Sequence, residues 1–246
     1  TVIIKHGNPC GVSSNRSRLS SFKNAFACDP VSAFGGIIAC NFKIDKKTAT
    51  EITKNFCEVV ISKGFDKQAL NILKSKKNLR LINFSKYKNL NKTITKFFDN
   101  SFLMQEKNQR IMDSNKLRFV SKIKPSKKDL KELEFANKVC KFVKSNAIVI
   151  TKDMSTIGIG AGQPSRLDSC KIAIQKAKIF RKNKVKNSYA ASDAFFPFKD
   201  GIKTLAKAGV KTVVQPGGSL RDKEVIKEAD NNKLKMILTG LRHFNH

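Results

Sequence analysis

The chain has 246 residues and a formal net charge of +30, from 49 Lys or Arg against 19 Asp or Glu. An apolar fraction of 40% with 18 Phe excludes a disordered tail and supplies enough core for one large domain or two of ordinary size. The longest uncharged apolar run, Val31 to Phe42, is too short to cross a bilayer, and no basic-then-apolar leader opens the sequence, so the expected protein is soluble and cytoplasmic.

Short apolar runs alternate with amphipathic stretches, the pattern of an α/β fold. Thr1–Lys5 (TVIIK) reads as a strand that carries Lys5 and His6 into an Asn-Pro-Cys-Gly turn at Asn8–Gly11. There follow a helix over Ser17–Ala27, a strand over Phe34–Cys40, a helix over Lys47–Phe56, a strand over Glu58–Ser62, a helix over Asp66–Asn78 and a strand over Leu79–Phe84. Ser85 to Ser126 is polar and poor in glycine, with Ser101–Glu106 and Lys116–Lys122 as candidate strands. Pro125 precedes a helix over Ser126–Lys144 and marks the boundary between two lobes, residues 1–125 and 126–246. The second lobe repeats the alternation. It reads as a strand over Ala147–Thr151, a turn at Lys152–Ser155, a strand over Thr156–Gly162, a helix over Pro164–Phe180, a loop, a helix over Asp200–Gly209, a strand over Lys211–Gln215, a helix over Asp222–Asp230 and a strand over Lys235–Gly240. Two lobes of similar make-up point to an internal duplication.

The charge invites a nucleic-acid reading, and a basic nucleic-acid-binding module is the rival class. The lysines, however, are spread over the whole length with no aromatic-interleaved or recognition-helix pattern, which favours a solvated basic surface attractive to phosphorylated and polycarboxylate ligands. Cys10, Cys28, Cys40, Cys57, Cys140 and Cys170 form no CxxC pair, so reduced thiols are expected and structural zinc is not.

Several stretches suggest a site. In TIGIGAGQPSR the glycines 158, 160 and 162 are spaced GxGxG, which suits either close strand–helix packing with Pro164 in the first helical turn or a helix start and Arg166 facing an anion. The phenylalanines of SDAFFPFKDG are read as core plugs. The QPGGSLRD loop reads either as a plain turn or as a set of backbone N–H groups for a carboxylate or phosphate, and the closing LRHFNH, with His243 and His246, reads as tail. From these residues alone the chemistry stays open.

KHGNPCG, DPVSAFGGIIA, KFVKSNAIV, IGIGAGQPSRLDS, ASDAFFPFKDG, QPGGSLRDKEVI and TGLRHFNH occur in this order. Together they resemble the successive signature blocks of the transformylase domain of the bifunctional purine-biosynthesis family, which joins 5-aminoimidazole-4-carboxamide ribonucleotide (AICAR) formyltransferase to IMP cyclohydrolase. The resemblance implies two cytidine-deaminase-like lobes related by duplication, without zinc, and formyl transfer from 10-formyltetrahydrofolate to the 5-amino group of AICAR. It implies His6 as proton acceptor, Lys5 as stabiliser of the oxyanion or proton donor to the leaving folate nitrogen, and Asn146 as partner of the carboxamide. It further implies Gly35, Glu58, Arg166, Phe195 and Arg242 at the substrates, with Leu167, Ser219 and Leu220 on the folate side. No metal, membrane or nucleic acid is implied, and a homodimer with sites at its interface is.

Departures from the family pattern also shape the expectation. The chain opens at Thr1 inside a strand and lacks the cyclohydrolase domain and an early transformylase segment, so a fragment is expected, either active or able only to bind ligand.

Overall fold

The computed structural model describes residues 1–86 and 92–245, and His246 lies outside them. Val2–Lys5 (β1) and Asn8–Val12 (β2) form an antiparallel hairpin whose turn is His6–Gly7, with φ of 51° and 75°. Positive φ at both turn residues matches the twist of the flanking strands. The turn expected at Asn8–Gly11 is therefore a strand. Pro9 is tolerated there because β2 is an outer strand of its sheet, where a missing N–H breaks no ladder.

Gly36–Cys40 (β3), Cys57–Ser62 (β4) and Arg80–Asn83 (β5) complete a sheet of order β2-β1-β3-β4-β5, with β1 antiparallel to β3 and the last three strands parallel. Arg18–Phe26 (α1), Pro30–Ala33 (α2), Lys46–Ile52 (α3) and Lys67–Lys74 (α4) connect them. Ser17, Asp29 and Asp45 cap the first three of these helices by accepting N–H groups of Ser20, Ser32 and Thr48. Ile3, Phe22, Ile38, Ile52, Val60 and Leu73 fill the core between helices and sheet. Ile37 and Ile82, 38% and 46% exposed, mark an open opposite face.

Thr93–Phe98 (β6) and Ser101–Glu106 (β7) pair as a separate exposed hairpin; the first of these strands lies in the stretch left unassigned from sequence. The candidate strand at Lys116–Lys122 shrinks to Arg118–Phe119 (β8), because residues 114–116 close a single 3-10 turn.

Lys127–Cys140 (α5), begun by a Ser126/Asp129 capping box, precedes the second sheet. Its strands are Ile148–Lys152 (β9), Ser155–Gly160 (β10), Ser188–Ser192 (β11), Val210–Gln215 (β12) and Lys235–Leu238 (β13), in the order β10-β9-β11-β12-β13-β8. Arg166–Phe180 (α6), Asp200–Ala208 (α7) and Asp222–Asn231 (α8) connect them. Ile148, Ile150, Ala190, Val213 and Met236 pack with α6, α7 and α8, whereas the alternate residues Val149, Tyr189, Ala191, Val214 and Ile237 pack with α5. This sheet is thus covered on both faces.

Over five strands the two sheets share order and direction, and the two hairpins share register. Lys5 opposes Asn8 and Ile3 opposes Gly11, with one residue skipped between; Lys152 opposes Ser155 and Ile150 opposes Gly158, again with one skipped. A Cβ on Gly11 would stand 1.9 Å from the Ala25 carbonyl oxygen of α1, and one on Gly158 2.1 Å from the Ala173 carbonyl oxygen of α6. The first two glycines of the GxGxG spacing therefore serve strand–helix packing, Gly162 lies past the strand in a turn at φ 66°, and Pro164 lies ahead of Ser165, the cap of α6, rather than within the helix. At Gly160 the corresponding distance to Ser169 oxygen is also 1.9 Å, against rigid backbone. Gly160→Ala is expected to destabilise the fold by about 1–3 kcal/mol or more, read as a lower urea midpoint at unchanged m-value.

The sheets meet where β2 adjoins β10. Val12 N–H donates to Thr156 Oγ1 at 2.9 Å, Ser14 N–H to the Met154 carbonyl at 2.9 Å, and the Ser13 and Ser155 hydroxyls lie 2.8 Å apart. Among the described residues no helix is long and apolar enough to cross a membrane.

Candidate active site

Two clefts lie on either side of the loop that follows β10. The first, of about 560 Å3, is lined by Lys5, His6, Cys10, Asp29, Gln163 and Lys176 among others. Lys5 ends β1, and its Nζ donates to the Phe34 carbonyl at 2.6 Å. His6 sits exposed on the hairpin turn beside it. Gly35, at φ 68°, follows Phe34; a Cβ there would lie 3.4 Å from the Phe56 ring and 4.0 Å from Lys5 Nζ, so the missing side chain leaves the ammonium accessible.

The second cleft, of about 490 Å3, is lined by Asn146, Arg166, Leu167, Phe195, Phe198 and Arg242 among others. The Arg242 guanidinium stacks over the Phe195 ring at 5.1 Å and that of Arg221 over Phe198 at 4.8 Å. Of the phenylalanines expected as core plugs only Phe196 is one, at 1% exposure; Phe195 and Phe198 form cleft wall.

Arg166 and Asn146 are bound into the protein's own network. One Arg166 nitrogen donates to Ser192 Oγ at 2.7 Å and to Asp193 Oδ1, and the other donates to Asn146 Oδ1 at 2.6 Å. Asn146 Nδ2 in turn donates to the Gln163 and Pro164 carbonyls at 2.8 and 2.9 Å. Arg166 and Asp193 are buried, 8% and 0% exposed, so this is an internal ion pair rather than an open anion site. The clefts are coupled through Lys144, whose N–H donates to Asn8 Oδ1 at 2.9 Å while its carbonyl accepts from Gly162 N–H at 2.7 Å. The turn bearing His6 and the segment bearing Asn146 therefore hold one another in place.

The structure gathers Lys5 and His6 in one cleft and Asn146, Arg166, Leu167, Phe195 and Arg242 in the other. Glu58 is exposed on β4 and lines neither. Ser219 and Leu220 lie on the loop after β12, beside Arg242: a Cβ on Gly218 would stand 3.5 Å from its guanidinium. The Gly218 N–H donates to Asp222 Oδ2 at 2.7 Å, which at this position favours the plain-turn reading of the loop over the anion-holding one.

Sequence reasoning gave no role to Asp29, Lys176, Ser192 and Asp193, and it misread His243. Asp193 follows Ser192 at the end of β11, a strand itself read as loop, so the sequence carried no signal for it. Burial by itself raises the Asp29 carboxyl, but the Lys176 ammonium and the N–H and hydroxyl of Ser32 outweigh it and hold the group below its ordinary range. Burial, with Asp29 nearby, pushes the Cys10 thiol up, which disfavours a nucleophilic thiolate in the first cleft. Among the described residues no three of His, Cys, Asp and Glu gather as metal ligands.

His243, read as tail, is 1% exposed. Its Nδ1 lies 2.9 Å from Asn108 Nδ2 and its Nε2 3.4 Å from Asn137 Oδ1, an arrangement satisfied by the neutral ring with its proton on Nε2. Burial, reinforced by Lys141 and opposed by Asp193, lowers its pKa. Protonation then favours the unfolded chain, so the stability His243 contributes is present above its unfolded pKa of about 6.5 and is lost as pH falls through the folded value. Melting temperature is expected to drop between about pH 7.5 and 5.5, and His243→Gln to flatten that drop.

The sequence profile of the AICARFT/IMPCHase bienzyme family matches residues 1–176. The bifunctional purine biosynthesis protein PurH of Leptospira biflexa is 47% identical over 245 residues, 99% of this chain and 48% of that protein. The protein of the same name from Rhodospirillum rubrum is 48% identical over 252 residues, 99% of this chain and 48% of its own length. That of Buchnera aphidicola subsp. Schizaphis graminum is 47% identical over 247 residues, 100% of this chain and 47% of its own. The chain spans about half the length of the curated relatives it matches.

Proposed function

The chain belongs to the AICARFT/IMPCHase bienzyme family, and we propose that it carries the transformylase half of that chemistry, transfer of the formyl group of 10-formyltetrahydrofolate to the 5-amino group of AICAR in purine biosynthesis. The observation that carries the reading is the Lys5–His6 pair at the rim of a cleft, with the lysine ammonium held on a backbone carbonyl and the imidazole exposed beside it. The accepting amine is a weak nucleophile, because its lone pair is delocalised into the imidazole ring and the carboxamide. His6 takes the proton this amine loses as its nitrogen bonds to the formyl carbon. Lys5 places positive charge where the formyl oxygen becomes negative and passes a proton to the folate nitrogen as its bond to the formyl carbon breaks, and the proton held by His6 restores the ammonium.

The second cleft suits the co-substrate. Its phenylalanine walls and stacked guanidiniums fit a flat heteroaromatic ring joined to a carboxylate-bearing tail, which supports folate or nucleotide contacts at Leu167, Phe195 and Arg242, with Ser219 and Leu220 assigned to the folate next to Arg221, which stacks on the cleft residue Phe198. Asn146 reaches the AICAR carboxamide by exchanging one of its present hydrogen bonds, and Arg166 acts by holding Asn146. Gly35 and Glu58 are assigned to the nucleotide on the first sheet.

Matching strand order and hairpin register support two duplicated, deaminase-like lobes divided near Pro125, with β8 crossing to the second sheet. The β6–β7 hairpin leaves Phe97 and Phe102 79% and 63% exposed, which supports a homodimer in which a second copy covers it. The site lies in the cytoplasm on this reading. Calorimetric titration tests it: saturable binding of both AICAR and a folate is expected, and a folded protein that binds neither overturns it.

A further inference from the structure

The Lys5 ammonium is held by contacts that begin on the other sheet. Lys176, on α6, pairs with Asp29, which is 3% exposed in the connection between α1 and α2. Asp29 caps α2, its Oδ1 accepting from Ser32 N–H at 2.9 Å and its Oδ2 from Ser32 Oγ at 2.7 Å, while Ala33 N–H donates to the Asp29 carbonyl at 3.0 Å. The next residue, Phe34, supplies the carbonyl that accepts Lys5 Nζ.

Packing alone does not secure this segment. α2 is four residues long, Ala33 is its one buried residue, and Val31 and Phe34 are 72% and 59% exposed. So short a helix does not hold itself together; the Asp29 side chain anchors its start, while its end is tied to the first sheet by the Phe34 ring against Phe56 at 5.3 Å and by Gly35 N–H donating to the Phe56 carbonyl at 2.9 Å. That side chain faces Lys176 from the second sheet and Ser32 from its own turn. A second tie joins the end of α6 to α1, from Arg181 to the Asn24 carbonyl at 3.3 Å, but it lies away from α2.

From these contacts we infer that Lys176 and Asp29 are positioning residues for Lys5. The ion pair between the lobes fixes the start of α2, α2 together with Phe56 fixes the Phe34 carbonyl, and that carbonyl fixes the ammonium. The catalytic consequence rests on the formyl-transfer role assigned to Lys5 above; the chain of contacts does not. Misplacing a catalytic group by about 1 Å costs up to about 100-fold in rate.

The test compares the wild-type chain with Lys176→Met, Lys176→Arg and Asp29→Asn. Asparagine keeps an acceptor for Ser32 N–H, so the cap and fold persist while the ion pair is lost. Acetylation of Lys5 by an N-hydroxysuccinimide ester, followed by peptide mass spectrometry, reports whether the amine is held. Labelling is expected to rise several-fold in Lys176→Met and Asp29→Asn and to stay near wild type in Lys176→Arg. In the same variants kcat is expected to fall about 10-fold or more with little change in KM, and arginine to restore most of it. Unchanged Lys5 labelling in both disruptive variants overturns the inference whatever the turnover. Raised labelling alongside a wild-type chain that transfers no formyl group upholds the positioning and overturns the function proposed above.

Discussion

Replacing His6 with asparagine is expected to lower formyl transfer by about 100- to 10,000-fold, the usual weight of a lost general base. Asparagine is chosen over alanine because residue 6 has φ 51°, a left-handed conformation that asparagine adopts readily. The imidazole is exposed and the turn is held by other contacts, so stability should stay within about 0.5 kcal/mol of wild type. Steady-state rates beside a melting curve check both halves. A comparable fall in rate and in melting temperature would assign His6 to the fold instead.

Arg166→Met is expected to act in the opposite way, through the fold first. It removes the guanidinium that pairs with Asp193, a residue with 0% exposure whose Oδ2 has no hydrogen-bond partner among the described residues. Breaking a buried pair from one side costs about 3–5 kcal/mol, because the remaining charge is left without compensation. For a chain of this size that is a fall in melting temperature of about 10 °C or more. The same change frees Asn146 Oδ1, so transfer should also fall at temperatures where the variant is folded. The double variant Arg166→Met/Asp193→Leu should be more stable than Arg166→Met, since it removes the stranded carboxylate; a double-mutant cycle measures the coupling.

Much of the fold was legible from residue pattern, and the failures have local causes. Helices α5 to α8 fall on the stretches read as helical from the alternation of apolar runs and amphipathic stretches, although a capping side chain begins only the first two, at Ser126 and Ser165. The central strand β11 was passed over as loop, because Ser188-Tyr189-Ala190-Ala191-Ser192 lacks β-branched residues. All five of these residues are buried, between α5 on one face and the α6–α8 layer on the other, so burial rather than propensity decides. Pro9 and Gly11 read as a turn although both serve a strand, one at a sheet margin and one under a helix. The Lys5–His6 pair was visible as a candidate from its block. The Asp193–Arg166–Asn146 network was not, because it joins residues far apart in sequence through contacts that no spacing encodes. His243 was misread for the same reason, its partners Asn108 and Asn137 lying more than a hundred residues upstream.

The most direct measurement follows a formyl group labelled on 10-formyltetrahydrofolate into AICAR, with product and released tetrahydrofolate quantified together for wild type and His6→Asn at matched folded concentration. The expected result is label in the AICAR amine in step with tetrahydrofolate release, and its collapse in His6→Asn. A folded, ligand-binding chain that transfers no label, or transfers it equally well without His6, would contradict the proposal that these residues perform the transformylase reaction.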